Sequence, residues 1–573
     1  MSGNRPDLEQ RVAELERRLD RIERRVEALA AAGPEAWTVA EVPETAAPPT
    51  RSRGPRPAAW LALTGRTFVV LAGAFAWRAL TESGVLPQEA GTALGIAYAL
   101  VWLVMADRAA ARDDRLSAGF HGLATALIAF PLVGEATAKF GFLTPTQGAV
   151  ALSIAAGGAL LLAWRRHLRG LAWTMTSAAV ATAWALAVAT QRFVPYALVL
   201  VGLAAVAQWL GYSRRWTVLA SLATYVAAIT LAGMTAIATL GPSERVRHLF
   251  EPEALAAVEL IFLALSLAGG GIRAGWLGGE LGAIEIAQLA TAAAVAVAGA
   301  PWLVPAPRRW ALGTAGALVA LLAFSATLAA GRRGARTETA RRGFAFLGLA
   351  LVVWAAWLTL PAGPRAIGLA AAGAALLHLS RDGAGGLRAA SGLLLLLAAA
   401  APSGLLGTIH RGLFAPHPGA GAPGAACIAA LVLGAVGSLP PLRGADRGWS
   451  TPLNVGRLFV VALVLAGAAA LAVLAIASAA GAGAAWLSTL RTAALAALAL
   501  AAAGLGRAPR FAVAGWLLYP ALTVGGVKLL LEDLRVGRPA TLVLSLAMFG
   551  LALIAAPRLA RRPSPAGRGA ASS

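Results

Sequence analysis

Charge is scarce in this chain. Asp, Glu, Lys and Arg together make up 13% of its 573 residues, where a soluble protein carries roughly a quarter. That shortfall excludes an ordinary solvated globule of this size. Cysteine is rarer still: Cys427 is the only one and lies in an apolar run, so no intrachain disulfide can form. Lysine occurs only at Lys139 and Lys528, and neither follows a glycine-rich loop, which excludes a Walker A nucleotide site. The six histidines (His121, His167, His248, His378, His410, His417) include no HExxH pair and no metal-like spacing with cysteine. His410 and His417 share a Pro/Gly-rich loop and read as solvated loop residues, while His378 and His121 read as local hydrogen-bonding groups. No nucleophile–base pair can be assembled by spacing. The sequence therefore offers no catalytic residue, no cofactor site and no metal set, and an enzyme is disfavoured.

What fills the chain instead is apolar. Hydrophobic residues make up 58%, mean hydropathy is +0.70, and apolar runs of about 18 to 25 residues recur almost without a break. Each is long enough to cross a hydrocarbon core of about 30 Å as a helix. The short alternating segments of a membrane β-barrel are not visible. The expected fold class is all-α: a polytopic transmembrane helical bundle over residues 59–557, with about eighteen spans. The first run is at about 60–80 and the last at about 540–557. The runs at about 278–299, which holds two acids, and at about 364–379, which is short, are the least regular, and 387–407 and 424–440 complete the middle of the chain.

The net charge is +22, but it does not point to nucleic acid. The basic residues are nearly all Arg and sit in short clusters between apolar runs, as in "RRHLR" (165–169) and "GRRGARTETARR" (331–342). With the N-terminus placed inside, the inner loops and tail hold about 29 Arg and the outer loops about ten basic residues, the asymmetry of cytoplasmic loops. Both termini are expected in the cytoplasm, including a basic tail over 558–573. The Arg-over-Lys and Ala/Gly usage suggests a bacterial genome rich in G and C, and the expected location is the bacterial cytoplasmic membrane.

The first thirty residues differ from all that follows. In "DLEQRVAELERRLDRIERRVEAL" the apolar positions are Leu8, Val12, Leu15, Leu19, Ile22, Val26 and Leu29, and their alternating spacing of four and three is a coiled-coil seam. In a parallel pair Arg11 faces Glu16 of the partner and Arg18 faces Glu23, so self-association as a parallel dimer is expected over residues 1–30. Such a helix is only about 31 Å long and marginal alone, and tethering to a membrane raises its effective concentration. Residues 31–58 are Pro-rich and read as an extended linker. No apolar signal-peptide core is expected in the charged N-terminus.

Ionisable groups inside apolar runs are costly and mark candidate functional sites. Lys528 lies within about 6 to 9 Å of the end of its helix, so its stem could carry the ammonium to the interface. Glu532, four residues on, is its expected local partner. Arg78 precedes Glu82 by the same four residues, and Glu135, Lys139, Gln191, Glu259 and Arg491 fall towards the same side of the bundle. Glu285, with Gln288 on its helical face, sits deeper. Several of these charges, with Asp533, are expected to line a polar cavity open to the outer face. The alternative is a set of interfacial anchors with one or two helix–helix hydrogen bonds.

Two stretches carry a resemblance to a family. "TGRTFVVLAGAFAWRALTESGVLPQEAGTALGIAYALVWLV" pairs Arg78 with Glu82 before a Gly/Pro turn, and "GGVKLLLEDLRVGRPATLVLSLAMFGLALIAAPRL" holds Lys528, Asp533 and Arg538 before a final span. With the coiled coil, linker and many helices, these resemble the bacterial polytopic membrane proteins of domain of unknown function 2339. The likeness covers the whole architecture but only those two stretches in residues, and the Ala-rich middle departs from the family pattern. It implies a basic residue at position 528 as a family trait, and no activity.

Two function classes follow. One is a carrier, or a protein handling lipid or envelope precursors, which would bind a small polar substrate or head group through the outer charges. The other is a non-transporting scaffold or sensor that recruits a second copy, or a cytoplasmic partner, through its coiled coil.

Overall fold

The computed structural model describes residues 87–560, apart from 241–242, 244–248, 333–336, 381–385, 416–422, 440–446, 482 and 537, together with a few isolated earlier positions. Those from position 73 onward fall in one compact unit, Leu71–Ser573. The linker, the first apolar run, Arg78, Glu82 and most of the heptad seam lie outside the described residues. Of the seam itself only Leu19 is described, helical and exposed, alongside Glu16, Asp20, Glu23 and Arg24.

Every regular element among the described residues is helical. The first six helices are α1 (Gln88–Ala111), α2 (Arg115–Gly134), α3 (Pro145–Arg166), α4 (Arg169–Thr190), α5 (Val194–Arg214) and α6 (Thr217–Leu240). There follow α7 (Pro252–Gly275), α8 (Ala283–Leu303), α9 (Arg309–Gly331), α10 (Glu338–Thr359), α11 (Ala362–Leu379) and α12 (Gly386–Ala400). The last six are α13 (Leu405–Leu413), α14 (Ala425–Ser438), α15 (Arg447–Ala480), α16 (Ala484–Leu505), α17 (Leu518–Lys528) and α18 (Pro539–Ala560). Local chemistry starts and stops them. Asp114 accepts from the Ser117 backbone N–H at the start of α2, and Thr144 and Gln147 form a reciprocal capping box around Pro145 at the start of α3.

Fifteen helical segments among the described residues are long and apolar enough to cross a membrane, and the bent pair α12–α13 makes a sixteenth if it counts as one span. This is the architecture of a multi-pass membrane protein. Its surface agrees: Ile229, Leu240 and Trp302 are 71%, 82% and 76% exposed, where a soluble protein would bury them. Five of the exposed tryptophans fall at helix ends, with Trp276 just past α7, Trp302 near the end of α8, Trp310 at the start of α9, Trp357 near the end of α10 and Trp486 at the start of α16. That is where amphipathic rings settle in a bilayer.

The structure departs from the sequence expectation in two places that matter for the site. The run at 387–407 is not one straight span but α12 and α13, bent by 60°. Pro402 and Gly404 cause the break, since proline disfavours helix in the residue before it and Gly404 adopts φ +75°. The run at 278–299 begins late, at Ala283, because Gly278 turns with φ +64° before α8 can start. The short run near 364–379 does form an 18-residue helix, α11. At 14 residues α14 is about 21 Å long, too short to cross alone.

Small residues let the helices approach. Between α11 and α12, a Cβ on Gly373 would sit 2.8 Å from the Gly392 carbonyl oxygen, and one on Gly392 would sit 2.7 Å from that of Gly373. Backbone cannot swing aside as a side chain can, so both positions require glycine for this packing. Gly392→Val is expected to cost about 1–3 kcal/mol by forcing the pair apart, read as a lower unfolding midpoint of the purified protein in detergent. An unchanged midpoint would show that the pair has slack.

Candidate functional site: a buried ionic cluster beside a broken helix

The site is built by α13, α16 and α17. Along α16, Ser488, Arg491 and Thr492 share one face by the three- and four-residue spacing of a helix, and each is no more than 1% exposed. Ser488 and Arg491 lie within the first two turns, about 6 to 10 Å from the start of the helix. Lys528 ends α17 and Asp533 closes the π-helical turn Leu529–Asp533 that follows. A π turn bonds residue i to i+5, so it brings Asp533 under Lys528 where a regular α-helix would carry it round to another face.

Lys528 is 7% exposed and Asp533 1% exposed, and their charged atoms form a direct ion pair. The ammonium's three N–H groups are shared between that carboxylate and three more acceptors, Thr492 Oγ1 at 2.9 Å, Ser488 Oγ at 3.0 Å and the Ser488 carbonyl. Asp533 accepts from Thr492 Oγ1 at 2.6 Å through one oxygen and from Ser488 Oγ through the other. Arg491 faces the other way. Its Nε donates to the Gly412 carbonyl at 3.0 Å, and Nη2 to the carbonyls of Arg411, at 3.3 Å, and Ala415. These are orphan acceptors at the C-terminal end of α13, where a cation also complements the helix dipole. The third nitrogen, Nη1, bonds Glu532 Oε1 at 3.1 Å, and the other oxygen of Glu532 lies 4.0 Å from Lys528. The cluster thus holds two cations and two carboxylates, with no formal net charge. Glu532 is its open member, with 29% of its side chain exposed.

A parallel arrangement serves the other short helix. Arg457, 6% exposed on α15, donates to the Ser438 carbonyl at the end of α14, and its guanidinium lies 4.9 Å from the ring centre of Phe511. Each helix too short to carry its end into water is finished by a buried arginine, which meets the demand for internal hydrogen bonding in an apolar medium.

Four of the sequence candidates therefore meet: Arg491, Lys528, Glu532 and Asp533. Lys528 does not extend to the interface, and its closest acidic partner is Asp533 rather than Glu532. The remaining described candidates are held elsewhere. Glu285 stands in the first turn of α8 and not deeper, because that helix starts at Ala283. It accepts from the Gly282 backbone N–H and pairs with Arg273 Nη2 of α7 at 3.1 Å, while Gln288 donates to Ser221 of α6 at 3.0 Å. Glu259 is fully buried on α7 against Thr235 of α6. Glu259 and Glu285 thus take partners of their own, apart from the four charges that meet around Lys528. Glu135 and Lys139 bound a second π turn, at the end of α2. Arg538 precedes α18, its backbone N–H donating to Thr541 Oγ1 at 2.8 Å.

Sequence reasoning missed Ser488 and Thr492, since a hydroxyl in an apolar helix carries no signal of its own. It also missed the carbonyls of Arg411 and Gly412 in α13 and of Ala415 just past it, which become acceptors only because the helix breaks and ends inside the protein. Among the described residues no three His, Cys, Asp or Glu side chains converge to hold a metal. No protein-family model, curated protein or solved structure matches the chain.

Proposed function

We propose that the protein is a carrier of the bacterial cytoplasmic membrane, with both termini in the cytoplasm, and that the Arg491–Lys528 pair is its polar substrate site. The observation that carries this reading is Glu532, half-open to its surroundings and reaching both buried cations at the end of a discontinuous helix. Discontinuous helices with charged groups at their ends are a recurring way to build a binding site within a bilayer. An anionic group, whether on a small polar solute or an envelope-lipid head group, would take the place of Glu532 between the two cations. The α12–α13 pair and the apolar run at 60–80 bring the count to about seventeen spans, with α14 as a partial one towards the expected eighteen, and the layout fits the resemblance to domain of unknown function 2339. The heptad over residues 1–30, with Leu19 exposed on a helical turn, would bring two copies together.

Water access tests the reading without a known substrate. In a Cys427→Ser background, Ala415→Cys keeps the backbone carbonyl that binds Arg491 and puts a thiol on that same residue. A membrane-impermeant thiol reagent added to intact cells is expected to label it from the outer face. Complete protection, with labelling of a cysteine at position 417 as the control, would reject the carrier. The cluster would then be a static tie in a non-transporting scaffold that self-associates through its coiled coil.

A further inference from the structure

A second feature lies apart from the ionic cluster and stands whether or not the carrier reading does. Between α6 and α8 runs a groove of about 610 Å³, walled by Ala232, Ala236, Leu240, Ala298 and Trp302, with Glu259 of α7 at its floor. That volume suits a small-molecule or single-chain ligand. The carboxyl is 0% exposed. One oxygen accepts from Thr235 Oγ1; the other, Oε2, has no hydrogen-bond partner, and a buried polar atom left unpaired is costly. Gly299 leaves room for the carboxyl against α8, since a Cβ there would stand 2.7 and 2.8 Å from its two oxygens.

We propose that the groove binds an uncharged lipid alcohol, its chain along the alanine-lined trough and its hydroxyl on Glu259 Oε2. Three observations select that class. The lining residues include no Arg, Lys or His, so nothing there offsets the phosphate of a phospholipid, and the Glu259 carboxyl would repel it. A hydroxyl both donates and accepts, so it satisfies Oε2 whether or not the carboxyl carries the proton, whereas an ammonium serves only the ionised form. Leu240 and Trp302, both largely exposed, open the groove along an apolar surface, so a chain enters from the bilayer without crossing water. Glu259 lies about 10 Å along α7 from its start at Pro252, which puts the hydroxyl below the level of the head groups.

The test is photolabelling of the full-length protein in phosphatidylcholine nanodiscs with three chain-matched diazirine probes: a long-chain alcohol, its alkane and its primary amine. The alcohol is expected to label peptides from the Ala294–Trp302 wall about tenfold more than the alkane, the worth of one hydrogen bond to a buried acceptor. Gly299→Ala is expected to remove that excess while alkane labelling stays unchanged. Equal labelling by alcohol and alkane in the native chain overturns the proposal, and this contrast decides even if Gly299→Ala does not fold. Amine labelling above alcohol overturns the assignment to an uncharged ligand. Alcohol excess that survives Gly299→Ala and Glu259→Leu places the hydroxyl elsewhere and overturns it too.

Discussion

Lys528→Leu is expected to destabilise the protein by about 3–5 kcal/mol, the cost of leaving one member of a buried ion pair alone. The orphan is Asp533, which is 1% exposed and would keep only the hydroxyls of Ser488 and Thr492. A snorkelling lysine would make the same substitution nearly silent, so the experiment separates the two placements of the side chain. The double variant Lys528→Leu with Asp533→Leu removes both charges, and it is expected to recover most of the loss because apolar residues often replace a buried pair at little cost. Unfolding midpoints of the two single variants and the double, purified in one detergent, measure the coupling. Additive losses would mean that the two groups do not depend on each other.

Arg491→Lys is expected to be almost as damaging, at about 2–4 kcal/mol, although the charge is kept. Arg491 spreads three nitrogens over the carbonyls of residues 411, 412 and 415 and the Glu532 carboxylate. A lysine ammonium is a single point on a flexible stem and cannot reach acceptors on both α13 and the turn after α17. At least two α13 carbonyls would then be buried without donors, at about 1–3 kcal/mol each. Protease sensitivity of the segment around residue 415 should rise in step with the fall in midpoint. Full rescue by lysine would mean that charge alone, and not the fork of donors, holds the end of α13.

Helix positions were legible in the sequence, and the site was only half legible. The expected last run at 540–557 is found as Pro539–Ala560, and the short one at 364–379 as Ala362–Leu379. Such bounds are set locally, by arginines, prolines and glycines at the ends of apolar stretches. The candidates Arg491, Lys528, Glu532 and Asp533 were legible because charge inside an apolar run is conspicuous. Their grouping was not, since Arg491 and Lys528 are separated by a loop and most of two helices. Glu259 was equally conspicuous, yet its unpaired oxygen and the glycine that makes room for it belong to two different helices, α7 and α8.

The sequence by itself determined an all-helical chain whose apolar segments match the thickness of a bilayer. In that medium each backbone group must be bonded within its own segment, so length and composition leave little choice. Only the tertiary structure decided which partners the buried charges take. The π turn after Lys528 chose Asp533 over Glu532, the break at Pro402 and Gly404 turned α13 so that its last carbonyls needed Arg491, and Gly299 left room for the Glu259 carboxyl at the floor of a groove. Each of these depends on how backbones approach across helices, which no spacing within one helix encodes.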